Sequence, residues 1–184
     1  MEHDIPVAKM SGAGNAFIVL GPPALARLGA PSREWIGRIC KRGVSLGADG
    51  VLTVEATGEG RIGVRFFNPD GSGAFCGNGS RCAARFARLN SLAGDSMILE
   101  TLIGDVPATV SGEHVQLELP SPTLAGELTI EVAQHTINGC WINAGVPHFI
   151  VPVDDVRAAP LEVWGPALRK HAAFGDAGVN VDVV

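Results

Sequence analysis

The chain has 184 residues, of which 46% are hydrophobic, and its formal net charge at pH 7 is −5. This length can bury a core in one large or two small domains. The negative charge argues against a nucleic-acid-binding protein and against a polybasic membrane-surface protein. The chain shows neither a start typical of a secretory signal nor an apolar run of membrane-spanning length, which predicts a cytoplasmic protein with no membrane partner.

Short strands separated by turns are predicted along the chain, with a helix after the N-cap residue Ser32 that ends at Gly43. The Pro120-Ser121-Pro122 stretch is the best domain boundary. It separates a first domain over residues 1–119 from a second over residues 120–184. The predicted strands cover residues 5–9, 17–20, 51–54, 61–67, 96–101, 105–110, 114–119, 128–132, 137–142 and 149–151.

The most informative stretch begins at Asn68-Pro69-Asp70-Gly71, a strong turn signal, and ends in an Ala- and Arg-rich helix. Between them lies Cys76-Gly77-Asn78-Gly79, which places a thiol at a helix start. A helix N-terminus favours a thiolate and can bind a carboxylate through its N–H groups. Asn15, Asn68 and Asn78 are suited to binding an amino acid. The alternative is a buried cysteine beside an ordinary Gly-Asn-Gly turn.

The other cysteines and the histidines are weaker candidates. Cys40 and Cys82 have apolar helical surroundings that predict core positions, and Cys140 lies within a predicted strand. The four cysteines form no CxxC pair, so they favour neither a disulfide framework nor a zinc site. His148, beside a predicted loop, is either a surface or hydrogen-bonded histidine or part of a site. A redox role for Cys76 is a further possibility.

The second part of the chain repeats the first. Phe17-Ile18-Val19 after Ala13-Gly14 recurs as Phe149-Ile150-Val151 after Ala144-Gly145, at an offset of about 130 residues. Further along, Pro31 with Trp35 matches Pro160 with Trp164, and the glycine-rich turn before Val51 matches the one before Val179. Two similar domains are therefore expected. The counterpart of Cys76 would lie beyond Val184, so we expect the chain to be truncated within its second domain.

These motifs resemble diaminopimelate epimerase over nearly the whole chain. The segments that carry the resemblance are residues 10–17, 47–50, 67–72, 76–82 and 145–148. The resemblance implies an α+β fold of two pseudo-symmetric domains, each a curved mixed or antiparallel sheet around a central helix, the second incomplete. It implies a cofactor-independent epimerase that interconverts LL- and meso-diaminopimelate, with the active site in the cleft between the domains. A homodimer is implied for the intact enzyme.

The resemblance also assigns roles to individual residues. Cys76 would be one of two catalytic cysteines and His148 a tuner of cysteine pKa. The expected substrate contacts are Asn15, Asn68, Gly77, Asn78 and Asn180. Gly50 stands where some members carry glutamine and Val146 where many carry asparagine, so these two side-chain contacts would be lost or shifted to backbone.

Because inversion needs an acid and a base on opposite faces of a carbon, a chain with the first half-site alone is expected to be inactive as an epimerase. Two alternatives remain at this point. The chain could be another amino-acid racemase or isomerase of the same superfamily, such as one acting on proline or histidine. It could also be a non-catalytic amino-acid-binding fragment.

Overall fold

The computed structural model describes residues 4–132 and 134–184, which divide into two compact units. One unit ends at Glu118 and the other begins at Leu119. From the sequence we expected the second domain to begin at residue 120. Residues 1–3, which entered the expectation that there is no secretory signal, lie outside the described residues.

The first unit alternates short strands with helices. Two helices follow the second strand, and a longer one, α3, follows the fifth. The elements are β1 (Ala8–Gly12), β2 (Asn15–Leu20), α1 (Pro22–Leu28), α2 (Arg33–Cys40), β3 (Gly50–Gly58), β4 (Arg61–Phe67), β5 (Gly73–Ala74), α3 (Gly77–Leu89), β6 (Ser96–Thr101), β7 (Gly104–Ser111) and β8 (His114–Leu117).

The strands of the first unit form one mixed sheet in the order β1-β2-β3-β4-β6-β7-β8, with β5 paired to β4. The β2–β3 and β4–β6 pairs are parallel. Helix α3 contacts strands across the sheet, including β1 and β8 at the two ends of this order, so the sheet curls around the helix. The apolar face of α3 supplies Cys82, Ala83 and Phe86 to the main core, as its spacing of apolar residues requires.

The β1–β2 connection differs from the sequence prediction, which ended the first strand at residue 9 and began the second at residue 17. The structure closes the hairpin with two residues, Ala13 and Gly14, so β1 extends to Gly12, which pairs with Asn15. Both turn residues have positive φ, 47° and 90°. This conformation matches the twist of antiparallel strands and makes a two-residue turn the favoured connection.

The second unit is a smaller sheet with one helix packed on it. Its elements are β9 (Thr123–Val132), β10 (His135–Asn143), β11 (Pro147–Val151), α4 (Leu161–Arg169), a 3₁₀ turn (Ala172–Phe174) and β12 (Asn180–Val183). The strand order is β12-β11-β10-β9, with β11 and β12 parallel and the other pairs antiparallel. Phe149, Leu168 and Phe174 lie at the centre of its core.

The predicted α+β class and the mixed, curled sheet are therefore confirmed. Ser32 is the predicted N-cap of α2, and its hydroxyl accepts a hydrogen bond from the backbone N–H of Trp35. Cys40 and Cys82 are buried, as predicted. Among the helices of residues 4–132 and 134–184, none is long and apolar enough to cross a membrane.

Candidate active site

The thiol of Cys76 caps the first turn of α3. The short β4–β5 hairpin returns the chain to the start of the helix, and Cys76 has the extended backbone of an N-cap residue. Its Sγ accepts a hydrogen bond from the N–H of Gly79 at 3.3 Å. The helix supplies no carbonyl partner for the N–H groups of Gly77 and Asn78, since both lie in its first turn. The partly exposed sulfur thus sits beside N–H groups that can bind an anion.

Two asparagines from distant parts of the chain meet next to this helix start. Asn78 Nδ2 donates to Asn15 Oδ1 at 3.0 Å, and Arg81 Nη1 donates to Asn78 Oδ1 at 3.2 Å. Asn15 opens β2, immediately after the hairpin turn, and Asn78 follows Gly77 in α3. The structure therefore brings together two of the predicted substrate contacts, and both side chains are half-buried.

Asp49 connects this pair to the start of the parallel strand β3. Its Oδ2 accepts from the Ala16 N–H at 2.8 Å and from Asn15 Nδ2 at 3.4 Å, and its Oδ1 accepts from Arg42 at 2.7 Å. The Asp49 N–H in turn donates to the Ala16 carbonyl at 2.8 Å. The Ala16 N–H and then the Arg42 guanidinium hold the pKa of Asp49 below its usual value.

Close backbone packing fixes the hairpin against α3. A Cβ added at Gly12 would lie 2.9 Å from Cys82 Sγ and 3.0 Å from the carbonyl oxygen of Asn78. A larger residue would push the hairpin off the helix and separate Asn15 from Asn78. Burial, and to a smaller extent the neighbouring Cys76, raises the pKa of Cys82 to about 11.

The loop before Cys76 is a self-contained turn built on Asn68, Asp70 and Ser72. Asn68 Nδ2 donates to Ser72 Oγ at 3.1 Å, and Ser72 donates to Asp70 Oδ1 from its N–H at 2.8 Å and from its hydroxyl at 2.6 Å. These Ser72 bonds lower the pKa of Asp70. Gly71 has φ +79°, and a Cβ there would lie 2.9 Å from the Arg33 Cα. The Asn68 amide is thus engaged within its own loop.

Gly50 leaves no room for a side chain. A Cβ at this position would lie 2.3 Å from the ring of Phe66 and 2.5 Å from the Phe67 carbonyl oxygen. The Phe66 ring therefore occupies the space that the first atoms of a longer side chain at position 50 would need.

The second unit holds the remaining predicted site residues. His148 pairs with Asn180 in the parallel β11–β12 ladder. His148 Nδ1 lies 2.7 Å from Asp182 Oδ2, and Arg169 donates to Asn180 Oδ1 at 3.1 Å. Because a carboxylate only accepts hydrogen bonds, this contact places a proton on Nδ1 of His148 and leaves Nε2 for another partner.

No role is predicted from the sequence for four residues of this site: Asp49, Arg81, Asp182 and Arg169. Asp49 lies in the Gly47–Gly50 motif, but its contact with Asn15 depends on the parallel pairing of β2 and β3, in which Phe17 lies beside Gly50. That register follows from tertiary packing and not from local spacing. Arg81 is three residues after Asn78 on the same helix, so the helical period could have suggested its contact.

The first-unit residues bring a thiol, two side-chain amides and the N–H groups of a helix start into one region. Unpaired helix N–H groups suit a carboxylate, and the half-buried amides can bind polar groups without adding charge. A partly exposed thiol lies beside them as a proton acceptor or donor.

Comparison with known proteins identifies the family to which the chain belongs. A protein-family model described as diaminopimelate epimerase matches residues 7–124. The diaminopimelate epimerase of Aquifex aeolicus (strain VF5) is 36% identical over an alignment of 187 positions that spans 96% of this chain and 67% of that protein. That of Hydrogenobaculum sp. (strain Y04AAS1) is 35% identical over an alignment of 191 positions that spans 97% of this chain and 69% of that protein.

Solved structures with low sequence identity share the fold. A phenazine biosynthesis protein of the PhzF family from Bacillus anthracis aligns over 88% of this chain and 62% of its own, with a TM-score of 0.59 and 17% identity. A probable proline racemase from Agrobacterium radiobacter K84 aligns over 83% of this chain and 53% of its own, with a TM-score of 0.61 and 15% identity. Together, the motifs, the fold and the sequence relatives establish that the chain belongs to the diaminopimelate epimerase family.

Proposed function

We propose that this chain is part of an epimerase that interconverts LL- and meso-diaminopimelate without a cofactor. In this proposal, Cys76 exchanges the α-proton on one face of the substrate. The observation that carries the proposal is the Cys76 thiol at the N-terminus of α3, 3.3 Å from the Gly79 N–H and adjacent in the chain to Gly77 and Asn78. The helix dipole favours negative charge on this sulfur.

The proton transfer follows from these groups. The Cys76 thiolate takes the α-proton, so the sulfur becomes a neutral thiol and the electron pair of the broken C–H bond stays on the α-carbon. Hydrogen bonds from N–H groups to the substrate carboxylate stabilise that charge as it spreads onto the carboxylate oxygens. Delivery of a proton to the opposite face by a second acid, in our proposal another cysteine thiol, completes the inversion. Cys40 and Cys82, at 4% and 3% exposure, are core residues and do not supply it.

We assign substrate contacts to Asn15, Asn68, Gly77, Asn78 and Asn180. In support, Asn15 and Asn78 join next to the thiol, whereas the Asn68 amide would have to share or exchange its bond to Ser72. Asn180 presents an exposed side chain oriented by Arg169. His148 is assigned a role in tuning the thiol, which predicts that His148→Gln changes the pH profile of proton exchange more than its rate at the optimum.

Exchange of the α-proton with solvent tests the proposal directly. The protein is incubated with LL-diaminopimelate in deuterated water, deuterium uptake is followed by mass spectrometry, and inversion is followed by separating the stereoisomers. We expect Cys76→Ala to lower the exchange rate by about 100-fold or more, the usual contribution of a general acid–base group.

Cys140→Ser is the matched control, since Cys140 is also partly exposed but lies on β10 of the second unit. It should keep the wild-type exchange rate. Equal exchange by the wild type and Cys76→Ala would overturn the role of Cys76. Faster exchange with proline or histidine than with diaminopimelate would assign the chain another substrate.

A further inference from the structure

The polar groups beside Cys76 form a continuous relay whose two ends are charged. It runs from the Asp49 carboxylate to the Asn15 amide, then to the Asn78 amide, and ends at the Arg81 guanidinium. The residues come from the start of β3, the start of β2 and the first turns of α3, and all four are half-buried. The relay thus connects three segments that are far apart in the sequence.

The chemistry of the two ends determines the direction of every bond between them. A side-chain amide can be turned by half a rotation, which exchanges its oxygen and its NH₂ group. An ionised carboxylate only accepts and a guanidinium only donates. The Asn15 NH₂ must therefore face Asp49, which turns its oxygen to Asn78. The Asn78 NH₂ must then face Asn15, which turns its oxygen to Arg81.

We propose that Asp49 is a positioning residue. Together with Arg81, it holds the Asn15 and Asn78 amides in the one orientation that binds the substrate, and this role rests on the proposed function. Each amide retains one N–H and one oxygen lone pair outside the relay, and these are the groups offered to the zwitterion. Asp49 itself is held rigidly, since it exchanges two hydrogen bonds of 2.8 Å with the backbone of Ala16.

Asp49 is suited to anchoring the relay because its surroundings favour the ionised carboxylate. Its pKa is held below the usual value first by the Ala16 N–H and then by Arg42. A neutral carboxylic acid could donate a proton and would remove the constraint on Asn15.

A double-mutant cycle on substrate affinity tests the relay. Asp49→Ala removes the accepting end and Arg81→Met the donating end, while Cys76 and both asparagines stay in place. Each change should raise the KM for α-proton exchange of diaminopimelate about tenfold, the equivalent of roughly one hydrogen bond, with kcat for exchange changed less. The double variant should be only slightly worse than either single one, because one break already frees the orientation of both amides. Additive effects would overturn the proposal.

Side-chain NMR of the free protein separates the relay from the proposed function. In Asp49→Ala, the Nδ2 resonances of Asn78 should move although Asn78 does not touch residue 49, and Asn78 resonances that remain in place would overturn the relay. Asp95→Asn is the control, because it removes a carboxylate that pairs with Arg88, in the last turn of α3, and it should change neither the resonances nor KM. If Asp49→Ala does not fold, Arg81→Met supplies the equivalent readout at Asn15, whose Nδ2 resonances should move although it is linked to residue 81 only through Asn78. If the resonances move in the variant while the wild type neither binds nor exchanges diaminopimelate, the relay stands and the proposed function is contradicted.

Discussion

The β2–β3 junction of the first unit and the β11–β12 junction of the second share a backbone plan but differ in their chemistry. In each, a strand leads through helical segments to a parallel strand beside it. In each pair of parallel strands, a phenylalanine of the first strand lies beside the second strand: Phe17 beside Gly50, and Phe149 beside Val181. Phe17 and Phe149 are among the most deeply buried residues. The two junctions are thus the same packing unit.

Their acidic residues act in different ways. Asp49 precedes its strand and binds the backbone of Ala16, which ties the strand start to the asparagine relay. Asp182 lies within its strand and binds the ring of His148. The two junctions therefore share their apolar packing but differ in their polar groups.

The register also corrects the match made from the sequence, which placed the turn before Val51 over the turn before Val179. If Phe17 corresponds to Phe149, their partners in the two parallel ladders also correspond, so the equivalent of Gly50 is Val181 and not Gly178. Gly178 instead has φ +67° in a turn, where a Cβ would lie 2.3 Å from the Arg169 carbonyl oxygen. Each glycine is required for a different reason, so shared glycines misled the alignment.

The largest expected effect comes from filling the space at Gly50. Gly50→Val would drive a side chain into the Phe66 ring and the Phe67 carbonyl, which should cost about 3 kcal/mol or more of unfolding free energy. Val181→Gly at the second junction should cost less, about 2 kcal/mol, from lost burial and added chain entropy. Urea unfolding measures both.

Gly58→Val is the matched control, because Gly58 lies in the same strand and a Cβ there meets no atom closer than Arg61 Cδ at 3.8 Å. It should change the free energy of unfolding by less than about 1 kcal/mol. Similar losses for Gly50→Val and Gly58→Val would show that Phe66 does not close position 50.

The thiols of Cys76 and Cys82 provide the next test, since the β1–β2 hairpin packs directly against Cys82. Cys82 is buried and its pKa is raised to about 11, whereas Cys76 is partly exposed. Iodoacetamide at pH 8 should modify Cys76 about 100-fold or more faster than Cys82, because reaction at a buried thiol requires both opening and ionisation. Peptide mapping by mass spectrometry measures the two rates.

Cys76→Ser serves as the control and should leave Cys82 protected. Fast labelling of Cys82 in the wild type would mean that the hairpin does not stay packed on α3, and the Asn15–Asn78 contact would then be open as well.

Several elements could be predicted from local signals alone. Strands β4 and β6 have the predicted bounds, Arg61–Phe67 and Ser96–Thr101. By contrast, local signals do not predict α1, because Gly21-Pro22-Pro23 ends the preceding strand, although proline in the first helical positions is also a start signal. In α4, Pro166 lies inside the helix and obscures its periodicity.

In the candidate site, too, some features follow from local sequence signals and others do not. The position of Cys76 at a helix start follows from the turn and helix signals around it. The Asn15–Asn78 contact joins residues 63 positions apart and depends on the two-residue turn that seats the hairpin on α3. The role of Asp49 depends on a parallel register, which is set by how Phe17 and its neighbours pack in the core. Local sequence carries neither piece of information.

A smaller effect is expected when the Asp49 charge is removed. The lowered pKa of Asp49 means that its ionised form stabilises the folded state above the unfolded pKa of about 3.9, and that this stability is lost as the pH falls through the folded value. Asp49→Asn should therefore cost about 1 kcal/mol at pH 7, since water screens the partly exposed carboxylate. Below about pH 4 the variant and the wild type should converge.

Asp182→Asn gives the comparison at the second junction, where the carboxylate bonds a side chain rather than a backbone N–H. Chemical unfolding at a series of pH values follows both variants. A constant gap between Asp49→Asn and the wild type from neutral to acidic pH would contradict the charge-based account of the first junction.

The smallest expected effect is a change in the tautomer of His148, since only the position of a single proton is altered. With Asp182 2.7 Å from Nδ1, the neutral ring is held with its proton on Nδ1, because the carboxylate can only accept. Asp182→Ala should move the neutral ring toward the Nε2-protonated form, which nitrogen-15 NMR of the imidazole distinguishes directly. Asp154→Ala, in the loop that follows β11, is the control and should leave the ring unchanged. A wild-type ring with its proton on Nε2 would mean that the second junction does not orient His148, and the two junctions would then differ in rigidity as well as in chemistry.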